Sequence, residues 1–154
     1  MDTSNSKAAL KDLIIRLQDA EKGFLEISRA VSNSTLKKWL KNYADERHQM
    51  HKVLEGMVEA RGGEAEVKTS FLGDLHRMFI DIKINSTNAD DEYDAVVTEI
   101  ERGAKVLIDD YEKVLDEVEM LPSMESILKT QKAIVENELT NLVSLKEEFN
   151  SIPA

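Results

Sequence analysis

The chain has 154 residues, the usual size of one domain, and it contains no cysteine, which excludes disulfides, thiolate metal sites and cysteine nucleophiles. A formal net charge of -10 disfavours phosphate backbones and anionic membranes as partners, so we expect neither nucleic-acid nor membrane binding. Only six glycines and two prolines are present, which favours long helices over a sandwich or barrel. We therefore predict a single all-α domain over residues 1–154.

The first two predicted helices are long and closely linked. Apolar residues recur at steps of three and four over residues 6–31, which places them on one face of a helix. Asn33 or Ser34 supplies the cap that begins the second helix, which has a similar stripe and ends at Gly62 and Gly63. Because the link is short, we expect the two helices to be antiparallel neighbours.

Three more helices are predicted in the second half of the chain. A shorter one covers about residues 69–84, a long one follows the acidic residues 90–92, and the last begins at Pro122 and carries an apolar stripe to Phe149. The segment 63–88 is long enough to cross from one end of a helical bundle to the other. A long crossover between two helical hairpins is typical of a ferritin-like four-helix bundle, which is the predicted fold. An up-down array of five helices is the alternative.

Polar residues interrupt the apolar stripes, and one interpretation is a polar network in the core. Arg47 lies in the stripe of the second helix, and an unpaired guanidinium buried there would cost several kcal/mol, so its burial requires carboxylate partners. Its planar fork suits two hydrogen bonds to one carboxylate. The candidate members of this network are Glu21, Arg47, Glu101, Gln131 and Glu138. Simple exposure at the margin of the stripes is the alternative to burial.

A carboxylate-bridged pair of metal ions is the second interpretation. Such centres take one Glu from each of two helices and Glu-x-x-His from each of two others. The candidate ligands are Glu21, Asp45, His48, Glu101 and Glu138. The set is incomplete, because Asp45 is shorter than the usual Glu and no histidine follows His76. We therefore expect no cofactor, with iron or manganese as the alternative and a single metal ion as the third case.

The remaining histidines lie outside these two sets. His51 is at the margin of the second helix's stripe, together with His48. His76 precedes Arg77 in the predicted crossover helix, where we expect packing or helix capping rather than ligation. No Ser-His-Asp spacing, P-loop or Gly-x-Gly-x-x-Gly motif occurs in the sequence, so nothing indicates acyl transfer or nucleotide binding.

Several short motifs, taken together in their order along the chain, resemble those of a bacterial family of ferritin-like four-helix-bundle proteins of unknown function. The matching pieces are Asp19-Ala20-Glu21-Lys22-Gly23-Phe24, Leu75-His76-Arg77, Glu101-Arg102-Gly103, Tyr111 and Gln131. The resemblance implies a ferritin-like bundle and a stress-related role, without an established reaction. An acidic residue often follows Glu-Arg-Gly in that family and a histidine often lies in its last helix. Here Ala104 follows Gly103 and the last helix has no histidine, which weakens an inherited metal site.

A non-enzymatic role by binding or self-assembly is therefore the favoured function, although no pattern decides whether the protein is an enzyme. A homo-oligomer, most simply a dimer, is expected because Trp39, Phe71 and Phe79 are more aromatic surface than one small bundle is expected to bury. The alternatives are an iron or manganese protein with oxidase or storage activity, and an adaptor that docks a partner helix. Residues 1–11 lack the apolar run of a signal peptide, and no stretch approaches the ~18 apolar residues of a membrane span, so we expect a cytoplasmic location.

Overall fold

The computed structural model describes residues 3–60, 89–142, 144 and 147, and within them it contains four helices and no strand. These helices are α1 (Thr3–Ala30), α2 (Ser34–Ala60), α3 (Ala89–Glu117) and α4 (Pro122–Thr140). The prediction of an all-α chain is confirmed over this part of the sequence. The predicted crossover helix at 69–84, and with it His76 and Arg77, lies outside the described residues.

The turn between α1 and α2 is held by side chains from both sides. Asn33 caps α2, because its side-chain oxygen accepts a hydrogen bond of 3.0 Å from the backbone N–H of Leu36. The buried carboxylate of Glu92, from α3, accepts hydrogen bonds from the backbone N–H groups of Ser32 and Asn33 at 2.7 Å and 3.1 Å. Backbone groups that the two helices leave unpaired are thereby satisfied by an acid from a third helix.

Two polar contacts at different heights along α1 fix its direction relative to α3. Near the middle of α1, Arg16 forms an ion pair of 2.8 Å with Asp110, which lies in the last part of α3. Just after the end of α1, Ser32 contacts Glu92, which lies in the first turn of α3. The residue number therefore rises along α1 as it falls along α3, so these two helices are antiparallel.

Two contacts likewise fix the relative direction of α2 and α4. Arg47 contacts Glu138, whereas Met50, one turn later on α2, accepts a hydrogen bond from Gln131, two turns earlier on α4. These two helices are therefore also antiparallel. Since α1 and α2 are antiparallel across their short turn, α2 and α3 run in the same direction, and the end of α2 lies at the opposite end of the molecule from the start of α3.

The core consists of two apolar clusters at different heights along the helices. One gathers aliphatic residues with Tyr111 towards the end of the molecule where α1 begins, and the other gathers aliphatic and aromatic residues beside the α1–α2 turn. Trp39 is buried in the second cluster, so it supplies no exposed surface for self-association. None of the four described helices combines the length and the apolar character that crossing a bilayer requires.

Candidate functional site

Two groups of polar side chains lie on neighbouring faces of α2. Arg47 comes three residues after Ala44 and three before Met50, both buried, so it points into the interior between α2 and α4. His48 is one residue further along, which is about 100° further around the helix, and it faces α1. We call the first group the central network (Arg47, Glu138, Glu46, Gln131 and Tyr111) and the second the edge cluster (Glu21, His48, His51 and Glu55).

The centre of the molecule is occupied by an ion pair between Arg47 and Glu138. Two guanidinium nitrogens donate to the two carboxylate oxygens at 3.0 Å and 2.6 Å, and the two side chains are 2% and 9% exposed. The guanidinium carbon also lies 5.7 Å from the centre of the Phe24 ring, within the range of a cation–π contact. Burial alone would lower the pKa of Arg47, but the hydrogen bonds and charge of Glu138 outweigh it and raise that pKa. The Arg47 guanidinium therefore keeps its charge.

Glu46 brings a second carboxyl group to the same pair. One of its oxygens is buried without a hydrogen-bond partner in the described part of the chain, and it lies 3.7 Å from the nearest nitrogen of Arg47. Burial, and then the neighbouring carboxylate of Glu138, raise the pKa of Glu46 to about 8, although Arg47 opposes the shift. Near neutral pH the protonated form of Glu46 is therefore favoured beside Arg47 and Glu138.

Gln131 and Tyr111 complete the central network with neutral hydrogen bonds. The Tyr111 hydroxyl donates to the side-chain oxygen of Gln131 at 2.6 Å, and the Gln131 amide nitrogen donates to the backbone carbonyl of Met50 at 3.1 Å. Burial raises the pKa of Tyr111, so its hydroxyl keeps its proton and remains a donor. These bonds tie α3 and α4 to α2, and they satisfy a glutamine that would otherwise be buried at a cost.

The edge cluster joins α1 to the outer side of α2. Nδ1 of His48 lies 3.0 Å and 3.2 Å from the two carboxylate oxygens of Glu21. Nε2 of His51 lies 2.6 Å from one of these oxygens, and its Nδ1 lies 2.6 Å from a carboxylate oxygen of Glu55. The imidazole rings have their centres 5.0 Å apart and meet edge to face. Two histidines from one helix thus converge on one carboxylate from its neighbour.

The two histidines differ in their access to solvent. His51 is 5% exposed, whereas His48 is 41% exposed, so one side of the cluster opens to water. Burial would raise the pKa of Glu21, but the hydrogen bonds from His51 and His48 outweigh it and lower that pKa. Glu21 is therefore held as an anion that faces nitrogen ligands.

The structure brings together only some of the residues that the sequence suggested for a core network. Arg47 contacts Glu138. Gln131 is nearby on α4, where it donates a hydrogen bond to the backbone carbonyl of Met50, three residues after Arg47. Glu21 belongs instead to the edge cluster, and Glu101 forms a solvent-exposed ion pair of 2.7 Å with Lys105. Glu46 and Tyr111 join the network without having been assigned to it.

The candidate ligands of a metal pair are likewise distributed over separate places. Glu21 and His48 contact each other, Asp45 and Glu101 have side chains turned to solvent, and Glu138 binds Arg47. His51 and Glu55 are the partners that sequence reasoning left out. The signal that could have found His51 is its spacing of three residues from His48, which puts both rings on one face of a helix.

Over its described residues the protein is all-helical, with a buried ion pair between α2 and α4 and a histidine–carboxylate cluster between α1 and α2. The chain belongs to the family described as Domain of unknown function (DUF2383), whose model matches residues 5–117. The expected membership of a family of unknown function is thereby confirmed. The match ends where α3 ends, so Gln131 and Glu138 lie beyond it. No curated protein and no solved structure matches the chain.

Proposed function

We propose that this protein is a ferritin-like four-helix bundle that acts by binding or self-assembly rather than by the oxidase chemistry of a metal pair. The order of the described helices supports the architecture. Two antiparallel hairpins lie side by side, and α2 and α3 run in the same direction with residues 61–88 between them. A single long connection between two such hairpins is the ferritin-like arrangement.

The observation that carries the functional part is the position of Arg47. A metal pair in such a bundle is held between the helices by carboxylates, which neutralise its positive charge. Here a guanidinium stands in that interior, and both oxygens of Glu138 already accept hydrogen bonds from it. Metal ions at this place would have to displace or repel a cation that is almost fully buried, which is unfavourable.

An iron or manganese protein with oxidase or storage activity is the alternative function. It would require Glu138 to release Arg47, and Asp45 and Glu101 to turn inward from the solvent. An iron-loading experiment distinguishes between the two candidate functions. We expect wild-type protein mixed with ferrous iron in air to oxidise it no faster than a protein-free control. Rapid oxidation with two irons retained per chain, abolished by Glu138→Gln, would support the alternative and refute the proposal.

The assembly part of the proposal is tested separately. We propose a homodimer, and light scattering over a wide range of protein concentrations should show twice the mass of the chain. A strict monomer at high concentration would refute self-assembly and leave binding of another molecule as the proposed function. The stress-associated role rests on the family resemblance, and unchanged survival of a deletion strain under oxidative, heat and acid stress would count against it.

A further inference from the structure

The edge cluster has the geometry of a metal site that is different from the metal pair considered above. One ligand atom from each of Glu21, His48 and His51 can be chosen so that all three lie within 4.8 Å of one another. We propose that these three side chains bind a single divalent transition-metal ion. The site lies on the α1–α2 hairpin and uses neither Arg47 nor Glu138, so its test is separate from the test for a metal pair between the helices.

Helix geometry explains why these three residues converge. His48 and His51 are three residues apart on α2, so both rings project from the same face. Glu21 comes from the antiparallel α1 and faces the gap between the two rings, within hydrogen-bond distance of each. Two helices therefore position all three side chains, and no ligand is taken from a loop.

Glu55 supplies an independent observation in favour of a metal site. A histidine that binds a metal through one ring nitrogen usually donates its other N–H group to a carboxylate, which fixes the orientation of the ring. His51 is held in this way, since its Nδ1 lies 2.6 Å from Glu55 while its Nε2 faces Glu21. The buried histidine is thus already oriented with one nitrogen towards the place where an ion would bind.

The distances between Glu21 and the two histidines require only small adjustments on binding. Metal–nitrogen and metal–oxygen bonds are about 2.0–2.2 Å, so neighbouring ligand atoms around one ion are roughly 3.0–3.5 Å apart. The Nδ1 atom of His48 lies 3.0 Å and 3.2 Å from the oxygens of Glu21, which already suits such a site. The contact of 2.6 Å between His51 and Glu21 must lengthen slightly, which a side-chain rotation can provide.

The donor set indicates the class of metal. Two imidazole nitrogens and one carboxylate suit zinc, iron, cobalt, nickel and manganese, whereas calcium and magnesium prefer oxygen ligands alone. Because His48 is 41% exposed, water can occupy the coordination positions that the protein does not fill. Three protein ligands with an open position resemble catalytic zinc sites more than closed structural ones.

The competing explanation is a purely structural contact, in which His51 bridges Glu21 and Glu55 and no metal binds. Untagged protein, stripped with a chelator that is then removed, is titrated with Co²⁺ and Zn²⁺. We expect a visible Co²⁺ absorption band that saturates at one ion per chain, displacement of Co²⁺ by Zn²⁺, and a higher melting temperature with either metal.

Matched variants identify the ligands. Glu21→Gln and His48→Gln remove proposed ligands and should weaken Zn²⁺ binding by a hundredfold or more. Glu55→Gln removes the orienting carboxylate and should weaken it by about 10–100-fold. Asp45→Asn, on the same helix but turned to solvent, and Glu101→Gln are controls that should bind like the wild type.

Three results would overturn the proposal. These are the absence of a Co²⁺ band and of a melting shift with millimolar Zn²⁺, equal affinity in wild type and Glu21→Gln, and loss of binding in the two control variants. Circular dichroism spectra and melting curves without metal show that each variant is folded. If Glu21→Gln alone failed to fold, the solvent-exposed His48→Gln would decide the outcome.

Discussion

The central network and the edge cluster begin one residue apart on α2, yet their environments differ. Arg47 is enclosed between helices and is matched by one carboxylate that uses both of its oxygens. His48 reaches the margin of the same helix, where it shares Glu21 with His51 and remains open to water. Polar side chains on one helix therefore form a closed ion pair or a cluster that is open to water, according to the face they occupy.

Charge balance explains the same difference. The central network contains its own cation, and the protonation that Glu46 favours removes the remaining excess of negative charge. The edge cluster contains two carboxylates and two imidazoles and no permanent cation. Ligands of this kind release protons when they bind a metal ion. If both proposals hold, the permanent cation Arg47 keeps metal from the centre of this protein, and the histidines of the edge cluster bind it within about one turn of helix.

The largest effect is expected from breaking the central pair. Glu138→Gln leaves Arg47 buried without a counter-charge, and we expect a loss of about 3–5 kcal/mol in the free energy of unfolding, measured by urea denaturation. Glu101→Gln, which breaks an exposed pair on α3, is the control and should lose less than about 1 kcal/mol. A loss below about 1 kcal/mol in Glu138→Gln would mean that Glu46 replaces Glu138 as the partner.

The double variant Arg47→Met with Glu138→Leu sharpens this result. Replacing both members of a buried ion pair by apolar residues is often neutral, so we expect it to recover most of the stability lost in the single variant. A double variant as unstable as the single one would show that packing, and not an uncompensated charge, caused the loss.

An intermediate effect is expected from Tyr111→Phe. The change removes the hydroxyl that donates to Gln131 and leaves the Gln131 oxygen buried with one partner fewer, which should cost about 1–2 kcal/mol. Thermal unfolding monitored by circular dichroism measures it. Because the remaining ring fills the same space, an unchanged melting temperature would indicate that water reaches Gln131.

In the edge cluster, Glu21→Gln should cost about 1 kcal/mol in metal-free protein, since partly exposed ion pairs contribute little. The folded protein lowers the pKa of Glu21 below its ordinary value of 4.5. Its stabilising contribution is therefore present above that value and is lost as the pH falls through the lowered pKa. The difference between wild type and variant should shrink in acid, and a difference that grows there would contradict the assignment.

The smallest effect, with the opposite sign, is expected from Glu46→Gln. The folded protein raises the pKa of Glu46 from 4.5 to about 8, so wild-type stability from this group is complete below 4.5 and is lost as the pH rises through 8. The variant resembles the protonated acid and keeps that stability. Because Glu46 is 37% exposed, we expect a gain below about 1 kcal/mol, or roughly 2–4 °C in melting temperature, at alkaline pH. Equal melting curves of the two proteins at all pH values would refute it.

By itself the sequence determined the helices and the need for a partner to Arg47. Steps of three and four between apolar residues repeat along whole helices, so α1, α2 and α3 were predictable to within a few residues, and the cap at Asn33 was predictable from its type. A guanidinium in an apolar stripe requires a carboxylate wherever the other helices lie. For the last helix, α4 covers Pro122–Thr140, and the end of the predicted stripe at Phe149 lies outside the described residues.

Only the tertiary structure decided which carboxylates meet which cations. A helix turns by about 100° per residue, so the choice of Glu138 over Glu21 for Arg47 depends on the rotation and height of each helix against its neighbours. That arrangement is set by packing over the whole core, which no local pattern contains. The same packing brings Glu21 to His48 and His51, and so creates from three separate polar residues a place where a metal ion can bind.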